Sequence, residues 1–395
     1  MSRLPRVGVA VAVLAACHTS PPAPISPPIP LAPAGSLGFD SARLATVAAY
    51  VASQVDSAYP GAVVAVGRHG RLVLLSAAGH YGHDDLRPID PSTIFDLASL
   101  TKVIGLTTAC MILVDEGRLD LDAPVRAYVP AFHGPMKDQV TIRQLLTHSA
   151  GMHWWRPMFR EATDRRSVLA LVDTTALDTT PGTRFVYSDL GAILLMQVVE
   201  RITRERIDHY LARRVFAPLG MTATRFLPPK GWRARIAPTE IDTAFRHRLM
   251  RGVVHDENAG RMGGVSGHAG LFSNAPDLAR FAEWLLSTRA TGSTQPALRA
   301  ETVQAFTTRQ GIPAGSSRAL GWDTPSDSGY SSAGSQLSRR SFGHTGFTGT
   351  SIWMDPEWDL FVILLTNRVN PTRANTKILQ VRAQVADLVA EAIER

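Results

Sequence analysis

The chain is poor in lysine, in cysteine and in long apolar runs, and each shortage narrows what it can be. Only four of its 395 residues are lysine, so 37 of the 41 basic residues are arginine. These are scattered rather than gathered into a block interleaved with aromatic residues. That pattern argues against nucleic acid as a partner, despite a net charge of +7 and a pI near 9.8. General attraction to anionic surfaces remains open. Two cysteines, Cys17 and Cys110, allow one disulfide at most. The apolar run Val7–Ala16 is too short to span a bilayer, which takes roughly 20 residues. What is present, 45% hydrophobic and 19% charged residues over this length, describes a globular protein with room for a large core.

The N-terminus reads as a processing segment. Arg3 and Arg6 give it a positive start, and Val7–Ala16 ends in small residues. Leu14-Ala15-Ala16-Cys17 is similar to a bacterial lipobox, so residues 1–16 are expected to be removed and Cys17 to carry lipid. The mature chain loses two arginines and no acid, leaving +5. Residues 17–38 then form a tether. Its seven prolines between Pro21 and Pro33 favour extended polyproline II, with a reach of roughly 50–60 Å. Cys110 is left alone and falls on the apolar face of a helix, as a core residue. These features predict an exported lipoprotein, anchored on the periplasmic side of a bacterial envelope.

The folded unit is expected over 39–395. A helix is predicted over Asp40–Asp56, then a hairpin of Gly61–Val66 and Arg71–Leu75 turning at His69-Gly70. Thr141 and Gln144 form a capping box, and the periodic segments from there to Leu286 are mostly helical. Strands return at Arg340–Gly343, Thr350–Met354 and Leu360–Thr366, before a last helix from Thr376 to Arg395. This order predicts an α/β fold of the α+β kind. One antiparallel sheet is built from both ends of the chain (about 39–98 and 300–395) and flanked by helices, with a mainly helical region (about 99–299) inserted.

Three motifs carry chemistry. Ser99 and Lys102 lie three apart at the start of an apolar helix through Val103, Leu106, Cys110 and Leu113, which puts hydroxyl and amine on one face. No other lysine has a serine three residues before it. A serine hydroxyl becomes a nucleophile when a neighbouring base takes its proton, and a lysine of lowered pKa can do so. Tyr187-Ser188-Asp189 sits on a turn before an apolar helix, and a phenol near an ammonium gives up its proton more readily. His344-Thr345-Gly346 is expected on the first residues of a C-terminal strand, where Gly346 permits close approach.

In this order the three motifs resemble those of the serine β-lactamase and penicillin-binding-protein superfamily. The branch is that of class C β-lactamases, D-alanyl-D-alanine carboxypeptidases and family VIII esterases. The resemblance runs from about residue 40 to 390 and includes Leu145–Gly151, Pro181-Gly182 and Pro218–Met221. Val254–Asn258 with Gly263–Phe272 resembles a periplasmic subgroup described as penicillin-binding proteins. It implies that Ser99 is the nucleophile and is acylated, that Lys102 and Tyr187 share the base work, and that the N–H groups of Ser99 and Phe347 form the oxyanion hole. His344, Thr345 and Gly346 would line the substrate strand. Neither metal nor cofactor is implied, and the substrate is a peptidoglycan fragment or a small molecule.

Two positions depart from the family pattern. Asp189 replaces an asparagine, so it can only accept hydrogen bonds, and its charge should raise the pKa of Lys102 and favour Tyr187 as base. His344 replaces a lysine and weakens the fixed positive charge that holds a substrate carboxylate. Both changes favour an ester over a β-lactam. Peptidase, β-lactamase-like and esterase activities therefore stay open, beside a catalytically silent penicillin-binding scaffold, which would need none of Ser99, Lys102 and Tyr187. His255-Asp256-Glu257 reads as a polar loop near the cleft, because adjacent residues rarely point at one ion. Trp154 and Trp155 are candidates to wall the pocket. Changing Cys17 to serine should release the protein to the soluble fraction or block its processing. Normal cleavage with continued membrane attachment, read by fractionation and mass, would contradict the lipid anchor.

Overall fold

The computed structural model describes residues 29–394. The expected signal segment, Cys17 and most of the tether lie outside them. The run Gly61–Val66 is continuously apolar because it is buried on both faces. Val63 and Ala65 point into one cluster, while Ala62, Val64 and Val66 point into another, the period of two of a strand. It belongs to β1 (Gly61–Arg68), which pairs antiparallel with β2 (Arg71–Gly82); β3 (Asp85–Pro88) extends the edge. His69 and Gly70 both have positive φ, 52° and 73°, as a two-residue primed turn demands.

The other half of the sheet comes from the far end of the chain, as β4 (Phe342–Thr345), β5 (Ser351–Asp355) and β6 (Leu360–Thr366). The spatial order is β4-β5-β6-β1-β2-β3, with Val66 facing Val362 across the β1–β6 join. On one face pack α1 (Ser41–Ser53) and the C-terminal helix α5 (Ile378–Glu391), through Leu44, Val47, Val385 and Val389. Asp40 caps α1 by accepting from the N–H groups of Ala42 and Arg43. The second face covers the inserted region with α2 (Thr108–Asp115), α3 (Asp189–Thr203) and α4 (Ala275–Thr291).

The antiparallel sheet and flanking helices agree with the fold class read from the sequence. The placement of the strand that carries His344 differs. The strand expected from Arg340 begins at Phe342, because Ser341 is held in a turn by its N–H to the Ser338 carbonyl. The strand runs on past Gly343 to Thr345, so His344 and Thr345, expected on the first residues of a strand, are its last two, and Gly346 begins the loop that follows.

Candidate active site

The Ser99 turn is fixed before its chemistry is considered. Residues Phe95–Asp96 pair with Phe272–Ser273, and the buried Asp96 carboxylate accepts from the N–H groups of Ala98 and His255 at 2.8 and 2.7 Å. Burial raises the Asp96 pKa, opposed by those two N–H groups. Ala98 is pinned at φ +46°, a left-handed conformation that costs a non-glycine residue about 1–3 kcal/mol. Ser99 follows at once. The helix expected at or before it starts one residue later, and its first turns over Thr101–Thr107 are of the wide π type.

Across these turns Lys102 Nζ reaches Ser99 Oγ at 2.9 Å and donates to the His268 carbonyl at 3.1 Å. Its side chain is only 4% exposed and lies 2.7 Å from Asp189 Oδ1. That oxygen receives no well-directed hydrogen bond, so the contact is one of charge. Burial alone would lower the Lys102 pKa, but Asp189 and Tyr187 outweigh it and hold the amine above its ordinary value. The ammonium also lies 5.0 Å from the Tyr187 ring centroid.

Tyr187 is positioned by the segment Leu145–Gly151. His148 packs against its ring at 4.6 Å, accepts the Ser188 N–H on Nδ1 and, through its carbonyl, holds Val186. Ser188 caps α3 by accepting from Gly191, which sets Asp189 in the first turn. On the opposite wall, Gly346 lies so close to the Ser99 turn that a Cβ would stand 2.3 Å from the Leu97 carbonyl oxygen. Thr348 and Thr350 donate to the carbonyls of Asp96 and Leu97, tying the loop after β4 to the same turn. The backbone N–H groups of Ser99 and Phe347 donate to nothing among the described residues. A cavity of about 420 Å³ opens here, lined by Ser99, Tyr187, Arg318, His344, Thr345 and Phe347.

A hydroxyl touching a buried cation, a phenol beside that cation and two uncommitted N–H groups form a set suited to acyl transfer. The β-lactamase family model matches residues 45–387. The chain belongs to the β-lactamase family. This β-lactamase-family chain is a serine hydrolase. It is 32% identical over 365 residues to a putative D-alanyl-D-alanine carboxypeptidase of Escherichia coli K12, covering 84% of this chain and 83% of the relative. Its fold is shared with a penicillin-binding-protein homologue from Caulobacter crescentus (TM-score 0.71, 20% identity, 90% and 99% of the two chains). It is shared too with a class C β-lactamase from Rhodobacter sphaeroides (TM-score 0.67, 22% identity, 87% and 98%).

Within this β-lactamase-family site, Ser99, Lys102, Tyr187, Asp189, His344, Thr345, Gly346 and Phe347 converge on one cleft; the rings of Trp154 and Trp155 lie against each other at 5.7 Å and do not line the cavity, although the Trp154 carbonyl accepts the Asp189 N–H. His344 is buried, and burial together with Arg318 and Lys102 holds its pKa well below 6.5. Arg318 belongs to none of the three motifs. Its side chain is 11% exposed, its guanidinium carbon lies 5.5 Å from the Tyr187 ring centroid, and one of its nitrogens is buried without a partner. Among 37 arginines, in a loop without periodicity, nothing marks it out.

His255-Asp256-Glu257 spreads in three directions: His255 pairs with Glu240, Asp256 with His268, and Glu257 with Arg373. The ligand atoms of Asp189, Asp256 and His268 do lie within 4.8 Å of one another, but the Lys102 ammonium already supplies a cation to this group.

Two buried imidazoles, His148 and His344, are held neutral in the fold, both with depressed pKa values caused first by burial. Below about pH 6.5 the unfolded chain gains these protons and the folded chain does not, so each site costs up to about 1.4 kcal/mol per pH unit. Melting temperature should therefore fall between pH 7.5 and 5.5, and fall less in His344→Asn. An equal fall in variant and parent, measured by thermal denaturation, would contradict the neutral assignment.

Proposed function

We propose that the protein hydrolyses a peptide ending in a free carboxylate, of the D-alanyl-D-alanine kind, through an acyl-enzyme on Ser99. Lys102 stays charged beside Asp189, so Tyr187 is the base. With Tyr187 as the phenolate, its own proton lost to solvent and its charge held by the nearby Lys102 ammonium, Ser99 Oγ attacks the carbonyl carbon and passes its proton to the Tyr187 oxygen, while the developing oxyanion is met by the N–H groups of Ser99 and Phe347. The carbon–nitrogen bond breaks and the proton moves on to the leaving amine. Water then releases the acyl group by the same path reversed.

The observation that carries the substrate class is Arg318. His344 is neutral, so the charge expected to be missing from the cleft must come from elsewhere. A nearly buried guanidinium, facing Asp323 at 3.7 Å through Nε and keeping one uncommitted nitrogen on the same cavity as Ser99, supports this assignment. The relatives described as putative D-alanyl-D-alanine carboxypeptidases support the same reading. A carboxylesterase is the second reading. It is favoured by Asp189, which offers no donor to a peptide carbonyl, and by a structural neighbour described as a hydrolase with promiscuous acyltransferase activity. Export and lipid attachment at Cys17 form part of the proposal, supported by the composition of residues 1–17.

Arg318→Gln separates the two substrates. Hydrogen bonds to charged groups contribute roughly 1.5–3 kcal/mol. The variant should therefore lose at least about tenfold in kcat/KM on diacetyl-lysyl-D-alanyl-D-alanine, while hydrolysis of p-nitrophenyl butyrate changes less than about threefold. Equal losses on both, or no peptide hydrolysis by the parent enzyme, would favour the esterase.

A further inference from the structure

A second cavity, larger than the catalytic one at about 810 Å³, lies among residues 227–272 and shares no lining residue with it. Its volume is within the roughly 300–1,000 Å³ of small-molecule sites. The floor is apolar, with Met250, Val254 and Phe272 buried. At the mouth stand Leu227, Leu249 and Val253, which remain 44%, 38% and 39% exposed.

The charge of the lining is entirely of one sign. Five basic side chains border the cavity and no acidic one does. Two of the five are committed to the fold: Arg246 is paired with Asp242, and Arg251 with Asp85. The other three are Lys230, Arg233 and Arg248, all exposed, and none has an ion-pair partner among the described residues. These three cations, at the rim of one apolar hole, take part in none of the ion pairs among the described residues. Apolar area exposed in such a patch calls for cover, and uncompensated cations at its rim select the sign of what covers it.

We propose that this cavity binds an anionic amphiphile, a single acyl chain on the apolar floor with its carboxylate or phosphate head against Lys230, Arg233 and Arg248. The site is separate from acyl transfer. Occupancy would nonetheless touch the frame of the Ser99 turn, since Phe272 pairs with Asp96 and Arg246 donates to the Val254 carbonyl just before His255.

The test is calorimetric titration of the full chain with sodium laurate below its micellar concentration, beside dodecyl phosphate, dodecyltrimethylammonium and acetate. Laurate should bind saturably at one site, at least about tenfold tighter than both the cationic amphiphile and acetate. Dodecyl phosphate decides whether the head must be a carboxylate. The double change Arg233→Glu, Arg248→Glu should weaken laurate at least tenfold and leave p-nitrophenyl butyrate hydrolysis intact, which also reports a folded variant. Equal binding of the two amphiphiles, or no saturable binding of laurate, would overturn the proposal, as would unchanged affinity in the variant. The parent comparison of anion with cation decides the matter even where the variant fails to fold.

Discussion

The site depends on one buried charge. The Lys102 ammonium is almost wholly out of water, and it is kept charged by Asp189 at 2.7 Å, the His268 carbonyl at 3.1 Å and Ser99 Oγ at 2.9 Å. Removing an ammonium from water costs several kcal/mol, which only close partners can offset. Behind Asp189 lies a second pair, Asp256 with His268, in which the His268 charge outweighs burial and lowers the Asp256 pKa. The Asp189 carboxylate, with the Tyr187 phenol beside it, therefore leaves Lys102 as a fixed cation. A fixed cation can orient a hydroxyl and steady a phenol oxygen, but it has no lone pair with which to take a proton.

Everything around that charge holds Ser99 at a set distance from it. The left-handed Ala98, the Asp96 carboxylate on two N–H groups and the threonine bonds from the loop after β4 all converge on four residues of backbone. Gly346 permits the closeness, because any side chain there would meet Leu97. The wide turns over Thr101–Thr107 belong to the same frame: Thr108 Oγ1 donates to the carbonyl of Val103, five residues back. Strain at the turn is offset by a large two-sided core, as functional sites generally require.

Much of this was legible in the residues because it is local. The hairpin at His69-Gly70, the capping box at Thr141, and the antiparallel sheet joined from the two chain ends follow from periodicity and turn chemistry. Ser99, Lys102, Tyr187 and His344 stood out through their motifs, and the effect of Asp189 on Lys102 followed from charge alone. Other features were hidden because they arise from contacts far apart in the chain. Arg318 is one arginine of many until the fold brings it to Tyr187, 131 positions away in the numbering. His268 matters through its carbonyl, which no side-chain pattern reports. The bounds of β4 are hidden too, because the serine turn before Phe342 and the short run His344-Thr345 at its end carry no apolar signal.

The central claim, that Lys102 is a spectator cation and Tyr187 the base for Ser99, is tested most directly by the rate at which a fluorophosphonate labels Ser99. Intact mass and peptide mapping would follow the parent, Tyr187→Phe and Ser99→Ala between pH 6 and 9. One adduct is expected on Ser99 and none in Ser99→Ala, with labelling slowed about 10²–10⁴-fold in Tyr187→Phe, the range of lost base catalysis. Labelling of Tyr187→Phe within about threefold of the parent across that range would contradict it.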